Sequence, residues 1–207
     1  MSLQLIQEPS PPGNRLVVET IGTTMTEGKT APADLPRAPA LDTDPNAPDD
    51  LAAFKNAFRR HAAGVAVVTA LDAHGVPVGF TATSLASMSA VPPLATFNMA
   101  RSASSWPAIN ETERVVIHLL GLRNRALAEH LAGPNTERFV GDHWRVGPYG
   151  LPVLNNVTSW MVGRIVERVT VHNAAVVVVQ IEGGGLGEDD EALIYHERRY
   201  RALGETL

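Results

Sequence analysis

Strand-forming runs follow one another along this chain with few helical patterns between them, and that order narrows the folds open to it. VAVVTAL (65–71) and RVVIHLL (114–120) are β-branched and apolar. Val76 to Phe80 returns from the first of these across the turn Asp72-Ala-His-Gly75, and Leu94 to Met99 makes a further strand. Val157 to Glu182 reads as two long strands, the second carrying the apolar run Ala174 to Val179, and Gly183 to Glu191 reads as an exposed glycine-acid loop. Ala192 to His196 and Arg198 to Leu203 close the chain as short strands. Helices are expected at few places. Asp49 and Asp50 suit an N-cap for a segment with Leu51, Phe54, Phe58 and His61 on one face, ended by Gly64. Ser105-Trp-Pro107 opens a short helix with a serine cap and a first-turn proline. Asn124 to Ala132 puts Ala126, Leu127, His130 and Leu131 on one face, with one more helical turn at Asn135 to Phe139 and a loop over 140–152. Helices and strands do not alternate, so the fold class is mainly β with inserted helices. An antiparallel barrel fits that order better than a doubly wound sheet.

Composition removes several functions. Of fifteen prolines, eight fall in residues 1–48, a segment expected to be a flexible tail ahead of a single globular body over 49–207. Residues 1–50 hold eight acidic and three basic side chains and so carry the whole net charge of −5. The neutral body offers no electrostatic footprint for nucleic acid. No apolar run approaches the ~20 residues that span a bilayer, and the N-terminus lacks the pattern of a secretory signal, so no membrane is expected and the cytoplasm is the default location. The chain has no cysteine, hence no disulfide and no thiolate chemistry. Its seven histidines are scattered without metal-ligand spacing, and no metal is expected. Neither phosphate-loop nor dinucleotide glycine spacing is present, and there is no G-x-S-x-G elbow.

The stretch from Gly79 to Ile109 stands out against this background. Phe80 to Ser89 has no charge and no glycine, yet Thr81, Thr83, Ser84, Ser87 and Ser89 all carry hydroxyls. Read as one strand, Thr81, Thr83, Leu85, Ser87 and Ser89 share a face, and Ala82, Ser84, Ala86 and Met88 share the other. Small residues let a ligand approach the backbone, and hydroxyls with free edge amides can meet the polar rim of a planar heterocycle. Pro92-Pro93 turns the chain. Arg101, Ser102, Ser104 and Ser105 then gather at a helix start that favours a phosphate. An ordinary solvent-facing strand followed by an ordinary serine cap accounts for the same pattern.

The order G-x-T-A-x-S-x-x-S-x-S-x-x-P-P, from Gly79 to Pro93, resembles the flavin reductase-like family with an FMN-binding split barrel. Asn98 and Ser102, Glu137-Arg-Phe139, Gly150-Leu-Pro-Val-Leu154 and Leu193-Ile-Tyr195 with Tyr200 extend the resemblance over about residues 50–203. It implies a homodimeric split β-barrel that uses NADH or NADPH to reduce FMN, or FAD, and supplies reduced flavin to a partner oxygenase. It also implies that Thr81, Ala82, Thr83, Ser84, Ser87, Met88 and Ser89 line the flavin ring and ribityl chain. Asn98, Arg101, Ser102, Ser104 and Ser105 would hold the ribityl and phosphate end, and Phe139 would lie where flavin or nicotinamide stacks. No catalytic side chain is implied, because the flavin carries the electrons while the protein holds the nicotinamide against it. The family's Gly-Asp-His at the penultimate long strand is matched here by His172-Asn173-Ala174, making His172 and Asn173 the nicotinamide-contact positions. The literal Gly141-Asp142-His143 falls just after Glu137-Arg-Phe139 and is set aside as a decoy. With alanine in the histidine's place, the alternative is a flavin-binding carrier or electron-transfer protein without nicotinamide oxidase activity.

Overall fold

A computed structural model describes residues 50–204. The proline-rich segment 1–48 lies outside the described residues. Helix α1 (Asp50–Arg60) leads into β1 (Ala63–Gly64), β2 (Ala66–Leu71), β3 (Pro77–Ala82), β4 (Ala86–Ala90) and β5 (Pro93–Ala100). Then come α2 (Trp106–Glu111), β6 (Arg114–Leu119), α3 (Arg125–Ala132), β7 (Trp144–Val146) and β8 (Pro152–Leu154). The chain closes with β9 (Ser159–Val171), β10 (Ala174–Leu186), β11 (Ile194–His196) and β12 (Arg199–Arg201). Seven strands form one antiparallel sheet in the order β3-β2-β6-β9-β10-β5-β4, and β1-β11-β12 and β7-β8 form two small ones.

The large sheet curls around a single apolar cluster. Val68, Val78, Phe97, Ile117, Ile165 and Val177 reach that cluster from six of its strands, and Trp106 and Ile109 of α2 plug it. Phe80 of β3 and Phe97 of β5 stand near opposite ends of the strand order, yet their rings meet edge to face at 5.8 Å. Strand β2 is buried along nearly its whole length because it serves two cores at once. Val68 and Ala70 face the enclosed cluster, while Val67 faces a second layer with Leu131, Leu154 and Leu193. That double burial explains why its sequence is continuously apolar rather than alternating. Helix α2 is fixed at its far end by Arg168 of β9, whose Nε donates to the Ile109 carbonyl at 2.9 Å and whose Nη2 donates to that of Thr112.

Several expectations change. Phe80 to Ser89 is two strands, broken at Thr83–Leu85, so the shared-face argument across it fails. Ser84 accounts for the break: its hydroxyl accepts from the Asn98 amide at 2.9 Å and donates to the Asn98 carbonyl at 3.0 Å, turning the chain in toward β5. The extra residue Met88 then bulges out of the β4–β5 ladder between Ser87 and Ser89. Strand β10 runs through Gly183, Gly184 and Gly185 to Leu186, where a loop was expected. Residues 134–140 form hydrogen-bonded turns rather than a helical turn, and the loop over 140–152 contains β7 and a 3-10 turn. Helix α1 has the expected amphipathic face, but Phe54 and Phe58 on it remain 59% and 61% exposed.

Candidate functional site

A cavity of about 430 Å³ opens where β3, β5, α2 and α3 approach one another. Its wall runs along Phe80, Thr81, Ala82, Thr83 and Ser84, crosses to Asn98, Met99 and Ala100, and continues through Ala103, Ser104 and Ser105. Leu131, Ala132 and Arg138 close the other side. Strand β3 is an edge of the large sheet, so its outer side has no ladder partner among the described residues. That leaves main-chain donors and acceptors for a bound heterocycle.

The side chains behind the wall are tied down. Thr81 Oγ1 donates to the Ala128 carbonyl at 2.8 Å, so it anchors β3 to α3 instead of offering its hydroxyl to a ligand. Ser105 occupies the N-cap position of α2 but does not cap it; its hydroxyl donates to the Gly79 carbonyl at 3.2 Å. The same carbonyl accepts from Arg138 Nη1 at 2.8 Å, and that nitrogen also lies 3.2 Å from Ser105 Oγ and 3.4 Å from Ser104 Oγ. Nε and Nη2 of Arg138 both donate to the Gly133 carbonyl, at 3.0 and 2.8 Å. Among the described residues, Arg138 is the one charged side chain lining the cavity. Burial pulls its guanidinium below the ordinary arginine range. A depression of similar size elsewhere is lined by Asp72, Glu111 and Glu113 beside Arg114, an acidic setting that repels phosphate.

The expected site residues fall into three groups. Thr81, Ala82, Thr83, Ser84, Asn98, Ser104 and Ser105 line the cavity together. Ser87, Met88 and Ser89 lie on β4, at the other edge of the sheet, and do not line it; Met88 is 60% exposed. Arg101, Ser102, His172 and Asn173 meet in a cluster of their own. There the Arg101 amide donates to the Asn173 carbonyl at 2.8 Å, Arg101 Nη1 donates to the His172 carbonyl at 3.1 Å, and Asn173 Nδ2 donates to Ser102 Oγ at 3.3 Å. His172 and Asn173 form the turn between β9 and β10, with His172 at φ 50°.

Phe139 sits behind the wall. A Cβ on Gly79 would stand 3.0 Å from its ring, and the ring lies edge-on to Trp144 at 5.7 Å. The set-aside His143 lines a different depression, with Arg123, Asp142 and Asn155. Its Nε2 donates to the Arg138 carbonyl at 2.8 Å, and its ring meets His130 edge to face at 5.0 Å. Arg138 is the residue that sequence reasoning missed. Its signal was present in Glu137-Arg-Phe139, where only the phenylalanine was carried forward.

A family model for the flavin reductase like domain matches residues 58–204. The chain belongs to the flavin reductase-like family. It is 38% identical over 184 residues to the NADH:FMN oxidoreductase of Rhodococcus erythropolis, covering 81% of this chain and 95% of that one. It is 30% identical over 154 residues to the actinorhodin polyketide dimerase of Streptomyces coelicolor, covering 74% of this chain and 87% of that one. Among solved structures, a flavin reductase domain protein from Arthrobacter sp. FB24 matches with a TM-score of 0.73 and 50% identity, over 75% of this chain and 97% of that one. In this flavin reductase-like chain, the segments named by the G-x-T-A-x-S order, by Asn98 and by Glu137-Arg-Phe139 converge on one cavity from distant parts of the sequence. No helix among the described residues is long and apolar enough to cross a membrane.

Proposed function

We propose that this protein is a flavin reductase that oxidises NADH or NADPH and reduces FMN, or FAD, bound in the cavity between β3 and α2. The observation that carries this is the character of that cavity among the described residues: small, neutral walls, a strand edge and a single guanidinium, with no carboxylate in its lining. Such a surface accepts a flat heterocycle with an anionic tail. Likeness to the Rhodococcus enzyme over nearly its full length supports the activity. When bound, flavin supplies the redox chemistry by accepting hydride from the nicotinamide.

The chain's own part is placement. Thr81 to Ser84 present the backbone of β3 and its turn to the ring system, with Asn98, Ser104 and Ser105 toward the polar tail. Phe139, pressed beneath Gly79, stiffens the wall from behind. The cluster of Arg101, Ser102, His172 and Asn173 forms a polar rim for the nicotinamide nucleotide. The sheet is the split barrel of the family, and two copies associate. Exposed Phe54 and Phe58 on α1, and Val169 and Val171 on β9, give a second copy apolar surface to cover. A monomer in sedimentation at micromolar protein would remove the dimer from this account. The reduced flavin passes to a partner oxygenase.

The test of the activity is turnover. Purified protein supplied with free FMN should oxidise NADH or NADPH well above a control holding flavin and nucleotide alone. No excess with either nucleotide would sink the proposal. A second reading, a flavin-binding protein that does not oxidise nicotinamides, draws on Ala174 standing where a histidine is expected. The Streptomyces relative, whose name is not that of a reductase, also leaves room for it.

A further inference from the structure

The geometry assigns to Arg138 the choice between phosphorylated and unphosphorylated flavin, an inference that rests on the flavin cavity proposed above. Three observations carry it. Among the described residues, Arg138 is the one charged side chain on the cavity wall. Its hydrogen-bond partners are all neutral: the carbonyls of Gly79 and Gly133 and the hydroxyls of Ser104 and Ser105. Among the described residues no carboxylate pairs with it within 4 Å; Arg168 shares that condition, held by the Ile109 and Thr112 carbonyls, but does not line the cavity. A half-buried cation held in place by neutral acceptors, with its charge uncompensated, is an electrostatic vacancy for a dianion.

Its position is fixed from three sides. Gly133 holds the Nε edge, Gly79 and the two serines hold Nη1, and His143 holds the main chain through the Arg138 carbonyl. The guanidinium is therefore preorganised, and little side-chain entropy is lost when a phosphate arrives. Arg101, which the sequence nominates for the same task, is exposed and does not line the cavity; its Nη1 donates to the His172 carbonyl at the β9–β10 turn. Ser104 and Ser105 remain with the phosphate end, but as supports of Arg138 rather than as part of a helix-terminus site.

FMN and riboflavin share one ring system and differ by the phosphate, so their affinities for the full chain separate the two contributions. The wild type should bind FMN more tightly than riboflavin, and added salt should weaken FMN while leaving riboflavin unchanged. Arg138→Gln, which keeps a donor for the Gly79 carbonyl, should weaken FMN by ~10- to 100-fold and leave riboflavin within about twofold. Arg138→Lys should fall between, because it keeps the charge and loses the fork. Arg101→Gln should change both affinities by the same factor. An unchanged FMN-to-riboflavin ratio in Arg138→Gln, or loss of that ratio in Arg101→Gln instead, overturns the assignment. If Arg138→Gln does not fold, the wild-type salt dependence decides, and equal salt response of the two flavins overturns it. A wild type that binds neither flavin removes the cavity's proposed function itself.

Discussion

His118 shows how closely a single side chain can be specified by its surroundings. The ring is fully buried on β6, with Nδ1 3.1 Å from the Val67 carbonyl and Nε2 3.0 Å from the Leu154 amide. The carbonyl must accept and the amide must donate, so Nδ1 carries the proton and Nε2 is bare. Protonating Nε2 would set two N–H groups against each other. Burial, which outweighs the pull of the Val67 carbonyl, lowers the pKa from 6.5 to about 4, and the charge of Arg145 adds to that direction. The unfolded chain therefore takes up a proton as pH falls below 6.5 and the folded one does not until about 4. Stability is lost across that window, by at most about 3 kcal/mol from this group. Urea midpoints should fall between pH 6.5 and 4, and His118→Gln should flatten that slope while lowering stability at neutral pH. An equal slope in the variant would contradict the account. Arg138 is the counterpart on the functional side, a charge held in place for a ligand rather than a charge kept out.

At the scale of elements, the β9–β10 hairpin sets a sharp test of why glycines follow one another in a strand. A Cβ on Gly184 would collide with the Trp160 carbonyl, whereas one on Gly183 would meet only Val162 Cγ1 at an ordinary 3.8 Å. Gly184→Ala should cost about 1–3 kcal/mol through forced backbone movement. Gly183→Ala should change stability by less than ~0.5 kcal/mol in either direction. Equal thermal shifts for the two variants would refute this packing. The same glycines explain what could be read from the sequence and what could not. Strands β2 and β6 were legible because their β-branched apolar runs meet a core on both faces, and the first part of β10 because Ala175, Val177 and Val179 bury one face of its valine run in the enclosed cluster. The glycine end of β10 was not, because its reason for being a strand lies on Trp160, some twenty-five residues away in sequence. The break after Ala82 was likewise hidden, since it depends on Ser84 meeting the Asn98 backbone. For the site, the first part of the motif order, Thr81 to Ser84, and Asn98 line one cavity while Ser87 to Ser89 do not, and the charge on its wall emerged only when Gly79, Gly133 and Ser105 came together around Arg138.

For the whole molecule, the curled sheet encloses its own core, and the cavity proposed for the flavin lies outside it, against the edge of β3 and beside α2 and α3. That arrangement separates the two parts of the proposed reaction in space: the flavin wall on β3, β5 and Arg138, and the nicotinamide rim on the β9–β10 turn beside Arg101. The central claim is that both parts work together in this chain despite Ala174. The most direct measurement is an anaerobic titration of the protein with FMN, followed by addition of NADH and then NADPH while the visible flavin band is monitored. The account predicts saturable flavin binding, then bleaching of the band with at least one nucleotide, faster than for free flavin. Flavin that binds and stays oxidised with both nucleotides would contradict it.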